Sequence, residues 1–256
     1  MPFLIQIPVT SNNKHAPQHG QFYVGCSGWA YTTWKPDFYP SDVPAKKLLS
    51  YYATRLNSVE VNYTFRSLPS PGTVQSWLEA TGPAFRFSFK APQRITHILR
   101  LKNCHDALRQ FADSIAPVVT ASRIGLILFQ LPPNAKADAG RLAAFLNDAA
   151  PLNLRLAFEF RHDSWFTPEI HSILQSHSAA LCIAESDDLV TPEAQTAPFT
   201  CHRLRKSVYS AADLNAIRTK LHACAIVGDV FAYFKHEETP IGAIRAVDVL
   251  EGLRRA

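Results

Sequence analysis

The stretch from Leu154 to His162 ends in groups that a purely structural strand has little use for. Read with a period of two, Leu156, Phe158 and Phe160 face one way, and Ala157, Glu159 and Arg161 face the other. The first face is bulky and suits packing beneath a helix. The second starts small and ends with a carboxylate two residues from a guanidinium. A charge turned inward costs several kcal/mol unless it is paired. Glu159 and Arg161 are therefore expected either to close on each other or to meet a ligand.

The same alternation delivers matching groups from other segments. Ser58 to Thr64 turns Glu60, Asn62 and Thr64 inward; Phe85 to Lys90 turns Ser88 and Lys90; Leu126 to Leu131 turns Gln130. Ala180 to Glu185 offers Glu185, Phe199 to Arg205 offers Arg203 and Arg205, and Asp229 to His236 offers Tyr233 and Lys235. Five cations (Lys90, Arg161, Arg203, Arg205, Lys235) then face three carboxylates (Glu60, Glu159, Glu185), a surplus of two positive charges even if every acid is paired. A concave site with that surplus favours a phosphate or carboxylate ligand. Glu159, Glu60 and Lys235 are the candidate catalytic groups, and a carboxylate that moves protons needs a raised pKa.

Lys90, Gln130, Arg161, Arg203, Arg205 and Asn62 are candidate ligand contacts. Trp29, Tyr31, His97, His162, Trp165 and Tyr233 complete the expected binding set, the aromatic rings as stacking surfaces. The bland reading of the same residues is an ion-pair network that only plugs the interior, with Glu159–Arg161 or Glu60–Arg203 as partners, under ordinarily packed loops. His97, His162 and His236 follow segment ends, yet stand beside Arg94, Arg161 and Lys235, a poor setting for a divalent cation. No metal and no cofactor are expected. Cys26 has the parity opposite to Gly25 and Ser27, which points it away from the others.

The elements that must position these groups alternate along the chain. Strands are expected at 22–29, 58–64, 85–90, 126–131, 154–162, 180–185, 199–205 and 229–236. Helices are expected at 45–56, 70–80, 105–121, 138–149, 168–177, 211–221 and 241–253. Pro71 suits a first helical turn, and Pro132-Pro133 stops a strand. Eight strands with intervening helices spell an α/β fold, a single (β/α)8 TIM barrel. The crossover after strand six, Asp187 to Pro198, is proline-bearing and poor in helical pattern, so it is expected to be irregular. The barrel domain is read as residues 21–256, behind a polar N-terminal leader at 1–20. An open doubly wound sheet fits less well, because Gly25-Cys26-Ser27-Gly28-Trp29 lacks the G-x-G-x-x-G spacing.

At 256 residues, 47% hydrophobic and 18% charged, the chain has the size and balance of one such barrel. No apolar run approaches the ~20 residues needed to span a bilayer, so no membrane partner is expected. Five cysteines without a C-x-x-C pair fit a reduced cytoplasm better than secretion. The formal charge of +5 is modestly basic and agrees with an anionic ligand. It does not bear on the oligomeric state.

Several blocks of this sequence resemble the YecE-like family, also known as domain of unknown function 72. They are Tyr23-Val24-Gly25-Cys26-Ser27-Gly28-Trp29 with Tyr39-Pro40, Val59-Glu60-Val61-Asn62 with Thr64-Phe65 and Leu68-Pro69, and Phe87-Ser88-Phe89-Lys90-Ala91-Pro92 running on to Ile95-Thr96-His97. Leu128 to Pro133, Phe158-Glu159-Phe160-Arg161-His162, Ser164-Trp165-Phe166 and Tyr233 to Glu237 continue the resemblance. It implies a TIM barrel, and it implies no particular reaction. Strand seven departs from the pattern: Arg203-Leu204-Arg205-Lys206 stands where many members carry His-Gly after the arginine.

Three functions are carried forward. The first is binding, and metal-independent processing by a hydrolase, lyase or isomerase, of a phosphate-bearing ligand such as a phosphosugar, a nucleotide or a nucleic-acid end. The second is a carbohydrate-active hydrolase or isomerase that uses paired carboxylates. The third is a non-catalytic binding protein.

Overall fold

The computed structural model describes residues 19–187, 190–235 and 239–255. The expected leader at 1–20 lies almost wholly outside them, as does His236. Eight parallel strands form one sheet in the order β1-β8-β7-β6-β5-β4-β3-β2. They are β1 (Phe22–Cys26), β2 (Ser58–Val61), β3 (Arg86–Lys90), β4 (Ile124–Gln130), β5 (Leu156–Glu159), β6 (Ala180–Glu185), β7 (Phe199–Leu204) and β8 (Asp229–Phe234). Between and after them run α1 (Leu48–Arg55), α2 (Pro71–Glu79), α3 (His105–Thr120), α4 (Ala139–Ala149), α5 (Pro168–Ser176), α6 (Ala211–Ala225) and α7 (Ile241–Arg255). This is the expected TIM barrel.

Helix starts follow local chemistry. Ser70, Asp138, Thr167 and Ser210 accept hydrogen bonds from the first turns of α2, α4, α5 and α6, and proline opens α2 and α5. Among the described residues the β6–β7 crossover has no helix, as expected. Its threonines take over the edge of β6 instead: Thr196 Oγ1 accepts from Leu181 N–H and donates to Ala179 O, and Thr191 N–H donates to Ala184 O.

The sheet closes between β1 and β2 through side chains rather than a ladder. A single parallel bridge joins Ser27 to Glu60. Below it, Asn57 Oδ1 accepts from Val24 N–H at 2.9 Å while its amide donates to Phe22 O at 2.7 Å. Tyr52 Oη accepts from Cys26 N–H and donates to Ser58 O. Strand groups left without a ladder partner are satisfied in this way. The approach is so close that a Cβ on Gly25 would lie 1.8 Å from Ser58 O, so only glycine fits there.

The interior is filled in layers. At the base Tyr23 stacks on Phe231 at 4.9 Å, with Phe199 edge-on to Phe231. Above them lie Leu126, Leu128, Ala157, Cys182 and Cys201, and a polar knot in which Tyr233 Oη bonds both Ser58 Oγ (2.7 Å) and Ser88 Oγ (2.6 Å). Between sheet and helices, Phe87, Phe129, Phe145, Phe158 and Phe160 form the larger apolar layer. No helix of the described residues is long and apolar enough to cross a membrane.

Candidate functional site

Above the Tyr233 knot, at the carboxyl ends of the strands, the interior becomes ionic. Arg203, on β7, is 2% exposed and sits between two fully buried carboxylates. Its Nε donates to Glu60 Oε2 at 2.9 Å and its Nη2 to Glu60 Oε1 at 2.6 Å, while Nη1 donates to Glu159 Oε2. Two-pronged pairing of this kind suits a planar guanidinium and fixes both acids. Glu60 accepts a further bond from Ser27 Oγ at 2.7 Å, and Glu159 from Gln130 Nε2 at 2.8 Å. Arg161 Nε reaches Glu159 Oε1 at 3.0 Å, and Arg205 Nη2 reaches Ser27 Oγ at 2.8 Å.

Parity on β2, β3, β4, β5 and β7 thus brings Glu60, Lys90, Gln130, Glu159, Arg161, Arg203 and Arg205 to one rim, as the alternation required. Both pairings named above, Glu159–Arg161 and Glu60–Arg203, are made.

The surrounding guanidinia favour the ionised form of both carboxylates. Burial alone would raise Glu159, but Arg203, Arg205 and Arg161 outweigh it and hold its pKa at about 2. Glu60 is likewise lowered, burial being overcome by Arg203 and Arg205. The expected raised carboxylate pKa is therefore not found. Nor can the two act as a glycosidase pair, because the Arg203 guanidinium fills the space between them.

The cations respond in the opposite sense. Burial, then Arg203, brings Lys90 down to about 8 and Arg205 down to about 10, while the two acids raise Arg203. Lys90 is half-buried, with Nζ 4.2 Å from the centroid of Phe65. His97 stands edge-on to the same ring at 5.0 Å, and burial, Lys90 and Arg161 lower its pKa.

Other sequence expectations are corrected. β2 ends at Val61, and Asn62 is already in helical conformation, so period-two parity stops there. Thr64 turns back and donates from Oγ1 to Lys90 O at 2.7 Å. The inward residues of β6 are the small ones, Ala180 and Cys182, and Glu185 lies on the other parity, accepting from Tyr209 Oη at 2.8 Å with Lys206 Nζ 3.5 Å away. Tyr233 has the inward parity but is fully buried below the rim. Trp165 is also buried, stacked on Phe160 at 4.3 Å with Nε1 donating to Ala135 O. His162 caps a short turn by accepting from Ser164 N–H. Lys235 is exposed beyond the end of β8. Gln130, 6% exposed, orients Glu159.

Beside the ionic rim, on the β1–β2 side, lies a cleft of about 420 Å³ lined by Trp29, Tyr31, Val61, Asn62, Tyr63 and Trp77. Gly28, with φ +104°, opens its floor; a Cβ there would lie 2.6 Å from Tyr31 Oη. Asn62 Nδ2 donates to Ser27 O, whereas its Oδ1 is buried with no hydrogen-bond partner. Trp77 was outside the sequence-level site because its α2 pattern reads as core. Among the described residues, no group of three His, Cys, Asp or Glu side chains could hold a metal ion.

A family model described as "Protein of unknown function DUF72" matches residues 23–255. UPF0759 protein YecE of Escherichia coli (strain K12) is 34% identical over 145 residues, which are 56% of this chain and 50% of that protein. UPF0759 protein YunF of Bacillus subtilis (strain 168) is 25% identical over 154 residues, 58% of this chain and 54% of that one. The chain spans about half the length of the curated relatives it matches. Among solved structures, a DUF72 family protein from Thermotoga maritima MSB8 superposes with a TM-score of 0.80 at 24% identity, covering 91% of this chain and 99% of that one. That likeness is one of fold.

Proposed function

This chain belongs to the DUF72 family of proteins of unknown function, and on that premise we propose that its rim binds a small phosphate-bearing anion, such as a phosphosugar, a nucleotide or a nucleic-acid end. One observation carries the reading. Among the described residues, Lys90, Arg161, Arg203 and Arg205 surround only Glu60 and Glu159, a surplus of two positive charges at the carboxyl ends of barrel strands. This surplus equals the one expected from sequence, although Glu185 and Lys235 both leave the count.

Arg203 is consumed by the two acids. Among the described residues, Lys90 and the terminal nitrogens of Arg161, whose side chain is 39% exposed, are left to meet a ligand. Two such donors on a partly desolvated rim match the oxygens of one phosphate or carboxylate. The aromatic cleft beside them would take the uncharged remainder of the ligand, with Asn62 Oδ1 as an acceptor for a hydroxyl or amide.

Isothermal titration with phosphosugars, nucleotides and short oligonucleotides tests the reading. Saturable binding that Arg161→Ala weakens supports it; no binding across the panel, or binding indifferent to Arg161, overturns it. Affinity that falls steeply with salt would assign the site to nucleic acid rather than to a small phosphate ester.

A further inference from the structure

Lys90 differs from every other cation of the rim. Arg203, Arg205 and Arg161 each hold a carboxylate, whereas Nζ of Lys90 lies over the Phe65 ring and, among the described residues, has no hydrogen bond or ion pair to an acid. Glu60 and Glu159 influence it electrostatically, yet both are already held by Arg203. The lysine is fixed at its root: it ends β3, and its carbonyl accepts from Thr64 Oγ1. An amine that is half-buried, paired with no acid among the described residues and crowded by guanidinia is biased towards its neutral, nucleophilic form, even though the Phe65 face it lies over favours the ammonium.

We propose that Lys90 is a nucleophilic amine that forms an imine with the carbonyl carbon of an aldehyde or ketone whose anionic end lies on Arg161. The inference rests on the anion-binding reading above and deepens it by naming the ligand class, a carbonyl compound bearing a phosphate or carboxylate; Lys90 then meets the carbonyl end, and the anionic end rests on Arg161 alone. In the first step the Nζ lone pair adds to the carbonyl carbon and the C=O π pair moves to oxygen. That oxygen takes a proton as nitrogen gives one up, leaving a carbinolamine. The hydroxyl then takes a second proton and departs as water while the nitrogen lone pair forms C=N. The balance is amine, carbonyl and one proton in, iminium and one water out.

His97, edge-on to the same Phe65 ring at 5.0 Å and close enough for Lys90 to lower its pKa, can exchange these protons with solvent. The iminium can accept the electron pair of a neighbouring C–H or C–C bond, which is chemistry of the lyase and isomerase kind. The Lys90 pKa of about 8 agrees with this, leaving roughly 300-fold more neutral amine at neutral pH than an ordinary lysine has.

The test is reductive trapping on the intact chain with glyceraldehyde 3-phosphate, using sodium borohydride, whose hydride adds to the imine carbon and fixes a secondary amine. Peptide mass spectrometry then locates the adduct. Parallel samples contain unphosphorylated glyceraldehyde, added inorganic phosphate, or Lys90→Arg, with thermal melting to confirm that the variant folds.

The expected result is labelling of Lys90 roughly tenfold faster than of surface lysines, slowed by inorganic phosphate and faster for the phosphorylated aldehyde. Fast labelling of Lys90 that ignores phosphate, with equal rates for both aldehydes, upholds the amine and removes the anion site. Labelling of Lys90 no faster than of other lysines, while inorganic phosphate still binds in an Arg161-dependent way, overturns the imine and leaves the anion site standing.

Discussion

Both ends of this barrel carry arginines, and they are used in opposite ways. At the base, Arg155 pairs with Asp229 at 2.8 Å and lies over Phe199 and Phe231. Arg86 lies over Tyr23 and donates to Pro83 O at 3.0 Å. These guanidinia cover an aromatic plug, meet water on their outer side and have neutralising or π-face partners. At the rim, among the described residues, four cations converge on two acids that are wholly buried, and the outer nitrogens of Arg161 and the amine of Lys90 find no acid of their own. A cation at a barrel end therefore says little by itself. What marks a site is buried acid already taken, with positive charge left over beside it.

The largest break in the comparison should come from removing the central guanidinium. Arg203→Met strands two buried carboxylates, and urea denaturation should show a loss of about 3–5 kcal/mol. The same change at half-exposed Arg155 should cost no more than about 1 kcal/mol. Equal losses at the two ends would erase the distinction.

Acid unfolding sharpens it next. Glu159 falls from an ordinary 4.5 to about 2 in the folded chain, so its contribution is fully present above pH 4.5 and is lost as pH drops through about 2. Glu60 acts in the same direction. Glu159→Gln should flatten the fall of melting temperature between pH 4.5 and 2, and an unchanged slope would count against the ion-paired assignment.

Lys90 predicts a slope of opposite sign at high pH. Its pKa falls from 10.5 to about 8, so the folded chain gives up that proton first and stability rises between about pH 8 and 10.5. Melting curves of Lys90→Met, compared with the parent over that window, should lack this rise.

Arg161→Ala separates binding from stability. The side chain is 39% exposed, so stability should change by less than about 1 kcal/mol. Loss of a charge-assisted bond to a ligand, about 1.5–3 kcal/mol, should weaken anion affinity by roughly 10- to 100-fold. The smallest effect belongs to Arg155→Ala, which should leave anion affinity unchanged by calorimetry.

Parity and composition carried the reading of this sequence as far as a strand stays a strand. β4, β5 and β7 keep period two to their ends, and there Gln130, Glu159 and Arg203 arrive as expected. The reading failed at Glu185 because the bulky-face rule breaks down when the inward residues of β6 are alanine and cysteine. Parity stopped at Asn62 and Thr64, although Asn62 still lines the neighbouring cleft, because β2 ends at Val61, a backbone event that no side-chain pattern announces.

Tyr233 shows a different limit: its parity was right, but its depth depends on strand stagger, which places it level with Ser58 and Ser88. Trp165 finds its acceptor, Ala135 O, 30 positions earlier in the chain, and its stack on Phe160 is a product of the fold. The role of Lys90 was invisible for a related reason. Sequence counts charges, whereas what distinguishes this lysine is which acids have been claimed by others.

The central claim, that the surplus of rim cations holds an anion, is tested most directly by phosphorus NMR of inorganic phosphate titrated with the parent chain, Arg161→Ala and Arg155→Ala at one fixed salt concentration. Saturable broadening with the parent and Arg155→Ala, and clearly weaker binding with Arg161→Ala, is the result this account predicts. Identical behaviour of all three proteins, or no broadening with any of them, would contradict it.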